Sequence, residues 1–287
     1  MRVVRHEPRG GKSLAQNAAL CGVEGGIVVI TDCGTVFDRR TIPELVAPFV
    51  DPAVGVVDGA LRFEPPAGEQ GIRAHGAYWD YESRVRTCES SLGILATASG
   101  AVMAARREVI GELPGHAGDD CVIPLMAVAR GLRVHRANAA RAWDESNADP
   151  RAEFRSRVWM VVRNWQGTWM FPALLAPWCR PWVALGLWSH KLLRWLAPVS
   201  ALAFLASLAA LGASEGGAWA WCAAAAAAGA AIGAAEAFAT WKARGRYRAT
   251  PLGSFTLVCT AFGIGLWKAM TGERIGGYRD RAAAPKP

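Results

Sequence analysis

A doubly wound α/β domain followed by membrane-type helices is the expected architecture of this 287-residue chain. Three features predict it. Strand-like and helix-like stretches alternate over residues 1–168. Apolar runs of about membrane-spanning length follow Leu192. Charge divides between the two parts: residues 1–168 hold 20 Lys/Arg and 20 Asp/Glu, residues 169–287 hold 12 and 4, and the whole surplus of +8 lies in the apolar part.

In chain order, Val3-Val4 has the composition of a strand end, Pro8 to Gly11 that of a turn, and Ser13 to Cys21 that of a helix. Gly26 to Thr31 (GIVVIT) is a continuous apolar, β-branched run, the pattern of a buried parallel strand, with Asp32 at its C-terminal end. Val54 to Val57 is a second strand candidate. Ile94 to Ala105 is apolar and rich in small residues, with Gly100 inside it. Asp119 to Arg130 reads as a helix that stops at Gly131. Arg133 to Trp143 reads as one or two short strands, and residues 151–168 as a charged, Trp-containing helix.

Three spans are expected, at about 192–211, 219–238 and 252–270. Residues 169–191 are apolar but broken by Pro172, Pro177 and Arg180-Pro181, which suits a segment lying in the membrane interface. Seven tryptophans fall between Trp159 and Trp195, and indoles concentrate at headgroup level. The loop after the second span carries Lys242, Arg244, Arg246 and Arg248, whereas the loop before it (GASEGG) carries no Lys or Arg. Residues 241–250 and the α/β domain are therefore expected on the cytoplasmic face of a multi-pass, bacterial-type inner (plasma) membrane protein. A third full crossing would put Arg274, Arg279, Arg281 and Lys286 outside. A re-entrant third segment, or a basic tail tolerated outside, would each reconcile this.

Several function classes are disfavoured. The basic residues flank apolar runs, the way a membrane protein uses them, which argues against nucleic acid as a partner. The seven cysteines lack zinc-ligand spacing and read as reduced thiols. Gly11-Lys12-Ser13 is no P-loop, because His6 stands where that motif needs glycine, and there is no G-x-G-x-x-G. Glu236 is the acidic residue within a span, close to its end, which gives a transporter little to work with. Met1 is followed by Arg-Val-Val-Arg-His, so no signal peptide is expected.

Three places carry candidate chemistry. Asp32 ends a strand, where α/β sheets hold ligands, although a strand-end Asp is also a common turn former. Asp119-Asp120 opens an apolar helix, as a general base beside a second carboxylate or as a helix-start device. Arg155, Arg157 and Arg163 with Asn164, Trp165 and Gln166 form a cationic and aromatic helix, facing either a phosphate ligand or anionic lipid.

In order along the chain, these segments resemble the membrane branch of the family 2 (GT-A fold) glycosyltransferases. G-K-S-L-A-Q-N-A-A-L (11–20) is similar to that family's G-K-x-x-A-L-N stretch, and I-V-V-I-T-D-C-G-T (27–35) to its D-x-D strand. Residues 78–93 and A-S-G-A-V-M-A-A-R-R-E (98–108) resemble its acceptor-side block. G-D-D-C-V-I-P-L (118–125) resembles the acidic motif with the catalytic base, V-R-N-W-Q-G (162–167) the end of Q-x-x-R-W, and S-H-K-L-L-R-W (189–195) the approach to a span. The resemblance implies a partial GT-A domain over 1–168, an interfacial segment over 169–191 and a transmembrane region over 192–287 with a basic tail. It implies inverting transfer of a sugar from a nucleotide-diphosphate donor to a polysaccharide or lipid acceptor. Asp120 would be the base, with Asp119 beside it. Lys12, Asn17, Asp32 and Arg163 would face the donor, and Trp79, Glu82, Ser99, Gly100 and Trp165 the acceptor. Asp32 would hold a divalent cation, Mg²⁺ or Mn²⁺.

The chain departs from the family pattern in three ways. It begins just before the G-K segment, so the family's opening β-α-β units are expected to be missing. Gly34 stands at the last position of D-x-D. Met160 and Asn164 replace the Gln and Trp of Q-x-x-R-W, which argues against processive synthesis. A truncated, non-catalytic membrane homologue that binds an acceptor or partner is the alternative.

Overall fold

The apolar runs of the N-terminal half become one mixed sheet in the computed structural model, which describes residues 3–7, 10–64, 72–145, 150–243 and 250–275. Its strands are β1 (Ile27–Thr31), β2 (Val36–Phe37), β3 (Val54–Glu64), β4 (Val102–Arg106) and β5 (Arg133–Glu145), in the order β1-β4-β3-β5-β2. β3 and β5 run parallel; β1–β4, β3–β4 and β2–β5 are antiparallel. The α/β class stands, but β1 corrects the expectation of a buried parallel strand. It runs antiparallel to β4, Ile27 opposite Arg106, and most of it is only half-buried. A run of β-branched residues encodes burial and extension, not direction. β5 is one strand of 13 residues, with its register against β3 shifted between Gly59 and Ala60. Val3 and Val4 lie outside any strand.

Around the sheet lie α1 (Lys12–Leu20), α2 (Thr41–Val46), α3 (Ile72–Ser91) and α4 (Asp119–Ala129). α4 packs on β3 and β5. Val56, Val57, Val102, Met103, Ile123 and Leu125 are fully buried. Each fully buried aliphatic side chain contributes roughly 1.5–3 kcal/mol, so this layer fixes where the N-terminus of α4 stands.

The chain forms two units: Met1–Ser146 with Arg163–Trp188 and Arg274–Pro287, and Asn147–Val162 with Ser189–Glu273. Helix α5 (Pro150–Trp169) contributes residues to both. In the first unit, prolines break the expected interfacial stretch into α6 (Pro172–Leu175) and α7 (Pro181–Gly186), and Trp178 and Trp182 are exposed. The second unit holds α8 (Leu193–Trp195), α9 (Ala197–Glu215), α10 (Gly217–Ala243) and α11 (Pro251–Met270). The last three are long and apolar enough to cross a membrane. α9 buries none of its residues, leaving Val199, Leu202 and Phe204 outward, as a lipid-facing helix does. On α10, Glu236 is bonded by Thr250. Arg244, Arg246, Arg248, Arg279, Arg281 and Lys286 lie outside the described residues.

Candidate active site

Helix α1 presents two rows of side chains because residues four apart share a face. Lys12 and Gln16 form one row. The Lys12 ammonium donates to Asp32 Oδ1 at 2.6 Å and lies 3.1 Å from Asp119 Oδ2, to which Gln16 Nε2 donates at 2.8 Å. Ser13 and Asn17 form the other row and hold the loop before α4. Ser13 donates to the Ala117 carbonyl, while Asn17 pairs with both backbone groups of Leu113, at 2.8 and 2.9 Å. Thus Lys12 joins a carboxylate at the end of β1 to one at the start of α4.

Neither Asp119 nor Asp120 caps α4. Gly118 is the N-cap residue, in extended geometry, and both carboxylates sit in the first turn, where the helix dipole favours negative charge. Asp119 is 5% exposed and paired with Lys12; Asp120 is half-buried. Two glycines leave room for them. A Cβ on Gly118 would lie 2.3 Å from Asp120 Oδ1 and 2.9 Å from Asn164 Oδ1. A Cβ on Gly100 would lie 3.3 Å from Lys12 Nζ, 3.4 Å from Asp120 Cβ and 3.6 Å from Asp119 Oδ1. The Gly100 backbone therefore forms a wall of the acid pair.

Burial opposes the charge of Lys12, but Asp119 and Asp32 outweigh it and raise its pKa above the ordinary lysine value. From neutral pH up to the ordinary lysine pKa the ion pairs therefore favour the fold in full, and the lysine's contribution fades as pH rises through the folded value. Lys12 is a fixed cation at neutral pH.

Two residues expected to face the donor are engaged in the loop before α4. Arg163 is 3% exposed and donates to the carbonyls of Gly115 and Ala117 and to Ser13. Its guanidinium clamps the loop that carries Asp119, and burial, against the pull of Asp120 and Asp119, lowers its pKa. Asn17 is likewise taken up by Leu113. The bonds they make satisfy backbone carbonyls and an amide that need partners when buried.

Of the residues expected on the acceptor side, Gly100 lies beside the acids, Ser99 donates its N–H to Asp58, and Glu82 is 4% exposed and paired with Arg86. Trp165 is half-buried, its ring 5.8 Å from that of Trp169. Trp79 lies on α3, its side chain outside the description. Behind Ser99 is a buried charge network. Asp58, 0% exposed, accepts from Arg136 at 2.7 Å, Arg86 at 3.3 Å and the Ser99 N–H at 2.8 Å. Burial opposes the Arg86 charge, but Asp58 and Glu82 raise its pKa above the ordinary arginine value. Asp58, Arg86, Arg136 and Gln16 are functional candidates missed in the sequence. An Asp inside the apolar strand run V-V-D-G-A was the available signal, since a buried charge demands partners.

The described residues hold no cluster of three His, Cys, Asp or Glu side chains suited to a metal. The open carboxylate is Asp32, with 46% of its side chain exposed, and a Cβ on Gly34 would lie 3.7 Å from Asp144 Oδ1.

A family model described as "Glycosyltransferase like family 2" matches residues 1–164. Among solved structures, the chain is similar to a mannosyltransferase from Pyrobaculum calidifontis in complex with GDP-Man and Mn²⁺. That match has 24% identity and a TM-score of 0.65, covering 94% of this chain and 69% of that one. It is also similar to glucosyl-3-phosphoglycerate synthase from Mycobacterium tuberculosis, in complex with Mn²⁺, uridine-diphosphate and glucosyl-3-phosphoglycerate. There the identity is 21% and the TM-score 0.38, and the chain spans 55% of that protein and is itself covered to 55%. No curated protein matches the sequence.

Proposed function

This chain belongs to the family 2-like glycosyltransferases, and we propose that it transfers a sugar, with inversion, from a nucleotide-diphosphate donor to a lipid or polysaccharide acceptor at a membrane. The observation that carries this reading is the convergence of Lys12, Asp119 and Asp120 on the Gly100 backbone, with Asp32 joined to them through Lys12, inside the family-matched region. In the proposed reaction the acceptor hydroxyl attacks the anomeric carbon as the bond to the diphosphate breaks. Asp120, the more exposed of the acid pair, accepts the hydroxyl proton. Asp119, held by Lys12 and Gln16, sets the position and field of Asp120. Lys12 supplies fixed positive charge on the side of the developing phosphate anion.

The similar mannosyltransferase structure contains Mn²⁺, and the residues here fit such an ion. Asp32 offers an accessible oxygen, and magnesium-type sites commonly use one or two carboxylates plus substrate phosphates and water. Bound there, the cation would neutralise charge on the leaving diphosphate. A panel of nucleotide sugars, supplied to membranes holding the full-length gene product, tests the reaction. Release of nucleoside diphosphate from one donor class is the expected result; a flat panel with acceptor lipids present would sink the assignment.

The division into a transfer domain over 1–168, an interfacial segment over 169–191 and a membrane region over 192–287 belongs to the same proposal. The exposed apolar surface of α9 supports it. So does the basic loop 241–250, which favours a cytoplasmic transfer domain at the inner (plasma) membrane. With the native cysteines replaced, Arg246→Cys should resist a membrane-impermeant thiol reagent in intact cells. Ready labelling from outside would reverse the orientation.

A further inference from the structure

We propose that Asp144, on β5, is the second carboxylate of the divalent-cation site begun by Asp32, taking the role that Gly34 leaves open in T-D-C-G-T (31–35). The assignment rests on the transferase reading above.

The fold brings Asp144 to that segment. Asp32 to Thr35 form a turn, closed by the Thr35 N–H, which donates to the Asp32 carbonyl at 3.2 Å. The ends of such a turn lie within about 7 Å of each other. β2 follows at once and runs antiparallel to β5, with Val36 opposite Trp143 and Phe37 opposite Ala142. One step back along the same register sets Asp144 opposite Thr35, and directly opposed residues of an antiparallel pair are about 5 Å apart. The Asp144 side chain is turned toward Gly34: its Oδ1 lies 3.7 Å from where a Cβ on Gly34 would stand. A carboxylate oxygen from β5 therefore borders the space that an acidic side chain at residue 34 would use.

Thr35 supplies an independent observation. Its hydroxyl oxygen is buried and has no hydrogen-bond partner among the described residues. A buried polar group in that condition calls for a water or an ion. Magnesium-type ions keep several of their waters and bind through one or two carboxylates plus substrate phosphates. A hydroxyl opposite Asp144 and next to Gly34 suits one of those waters, as an outer-shell bond that orients the inner ligands. Both carboxylates can meet a hydrated ion: the Asp32 side chain is 46% exposed and Asp144 is half-buried. Asp32 also shares its charge with the Lys12 ammonium, so a second acidic ligand adds charge that Asp32 alone does not offer.

The test is Mn²⁺ binding by the full chain in detergent micelles, read from the electron paramagnetic resonance signal of free Mn²⁺. It is run with Mn²⁺ alone and with UDP or GDP added, and needs no turnover. Asp144→Asn should raise the half-saturating Mn²⁺ by about tenfold or more, the least that outer-shell changes cost. Adding Gly34→Asp to Asp144→Asn should recover the affinity, because a carboxylate returns from the adjoining backbone, where a Cβ meets its neighbour at ordinary contact distance. Asp144→Ser replaces Asp144→Asn if the thermal midpoint shows that variant unfolded. Parent-like Mn²⁺ binding in a folded Asp144 variant would overturn the proposal. So would a loss that Gly34→Asp fails to recover, which would make Asp144 a structural support, and so would a parent chain without saturable Mn²⁺ binding. Mn²⁺ held through Asp144 with no nucleotide sugar turned over would leave the metal site standing and count against the transferase reading instead.

Discussion

Asp120→Asn should lower the rate of sugar transfer by about 10²–10⁴, the usual contribution of general base catalysis. The substitution keeps the shape of the side chain and removes its basicity. It should cost little stability, because the N-cap position of α4 is filled by Gly118, not by Asp120. Donor affinity should barely change, since the base serves the acceptor hydroxyl. Asp119→Asn should act differently. It weakens the ion pair with Lys12, so it should perturb donor affinity as well as rate. Transfer rates and donor affinities of the two variants, side by side, separate the roles. Undiminished transfer in Asp120→Asn would remove it as the base.

Asp58→Ala should destabilise the protein by about 3–5 kcal/mol, the cost of removing one partner from a buried ion pair. The carboxylate is fully buried and is shared by Arg136, Arg86 and the Ser99 amide. Its loss leaves two buried guanidiniums with Glu82 as the remaining carboxylate of the set. Asp58→Asn should fall between the two, because an amide still accepts from Ser99 but carries no charge. The thermal midpoint of the detergent-solubilised chain measures this. A midpoint unchanged in Asp58→Ala would mean that the network contributes little.

Some of this architecture was legible in the residues. The apolar run of β1 ending in Asp32, the Gly118-Asp119-Asp120 start of α4 and the long apolar helices α9 to α11 each carry a local signal. Local signals survive folding because they reflect burial and helix-end electrostatics. What depends on tertiary pairing was not legible. The antiparallel direction of β1 is set by β4, more than 70 residues away. Helix α3 has weak periodicity, and its polar residues make sense only once Glu82 and Arg86 meet Asp58. Arg163 and Asn17 have residue types suited to a phosphate, yet the structure directs them to loop carbonyls and amides. Composition supplied the residue types in those cases, and the fold chose their partners.

In the proposed reaction Asp32 and its neighbours handle the diphosphate of a nucleotide sugar. The most direct test of this is nucleoside diphosphate release, measured against added Mn²⁺, for the full-length protein and for Asp32→Asn. Release should vanish with a chelator. In Asp32→Asn the metal requirement should rise by at least the roughly 10–100-fold that even outer-shell changes cost. Superimposable metal curves for the two proteins, or release indifferent to the chelator, would contradict this role of Asp32.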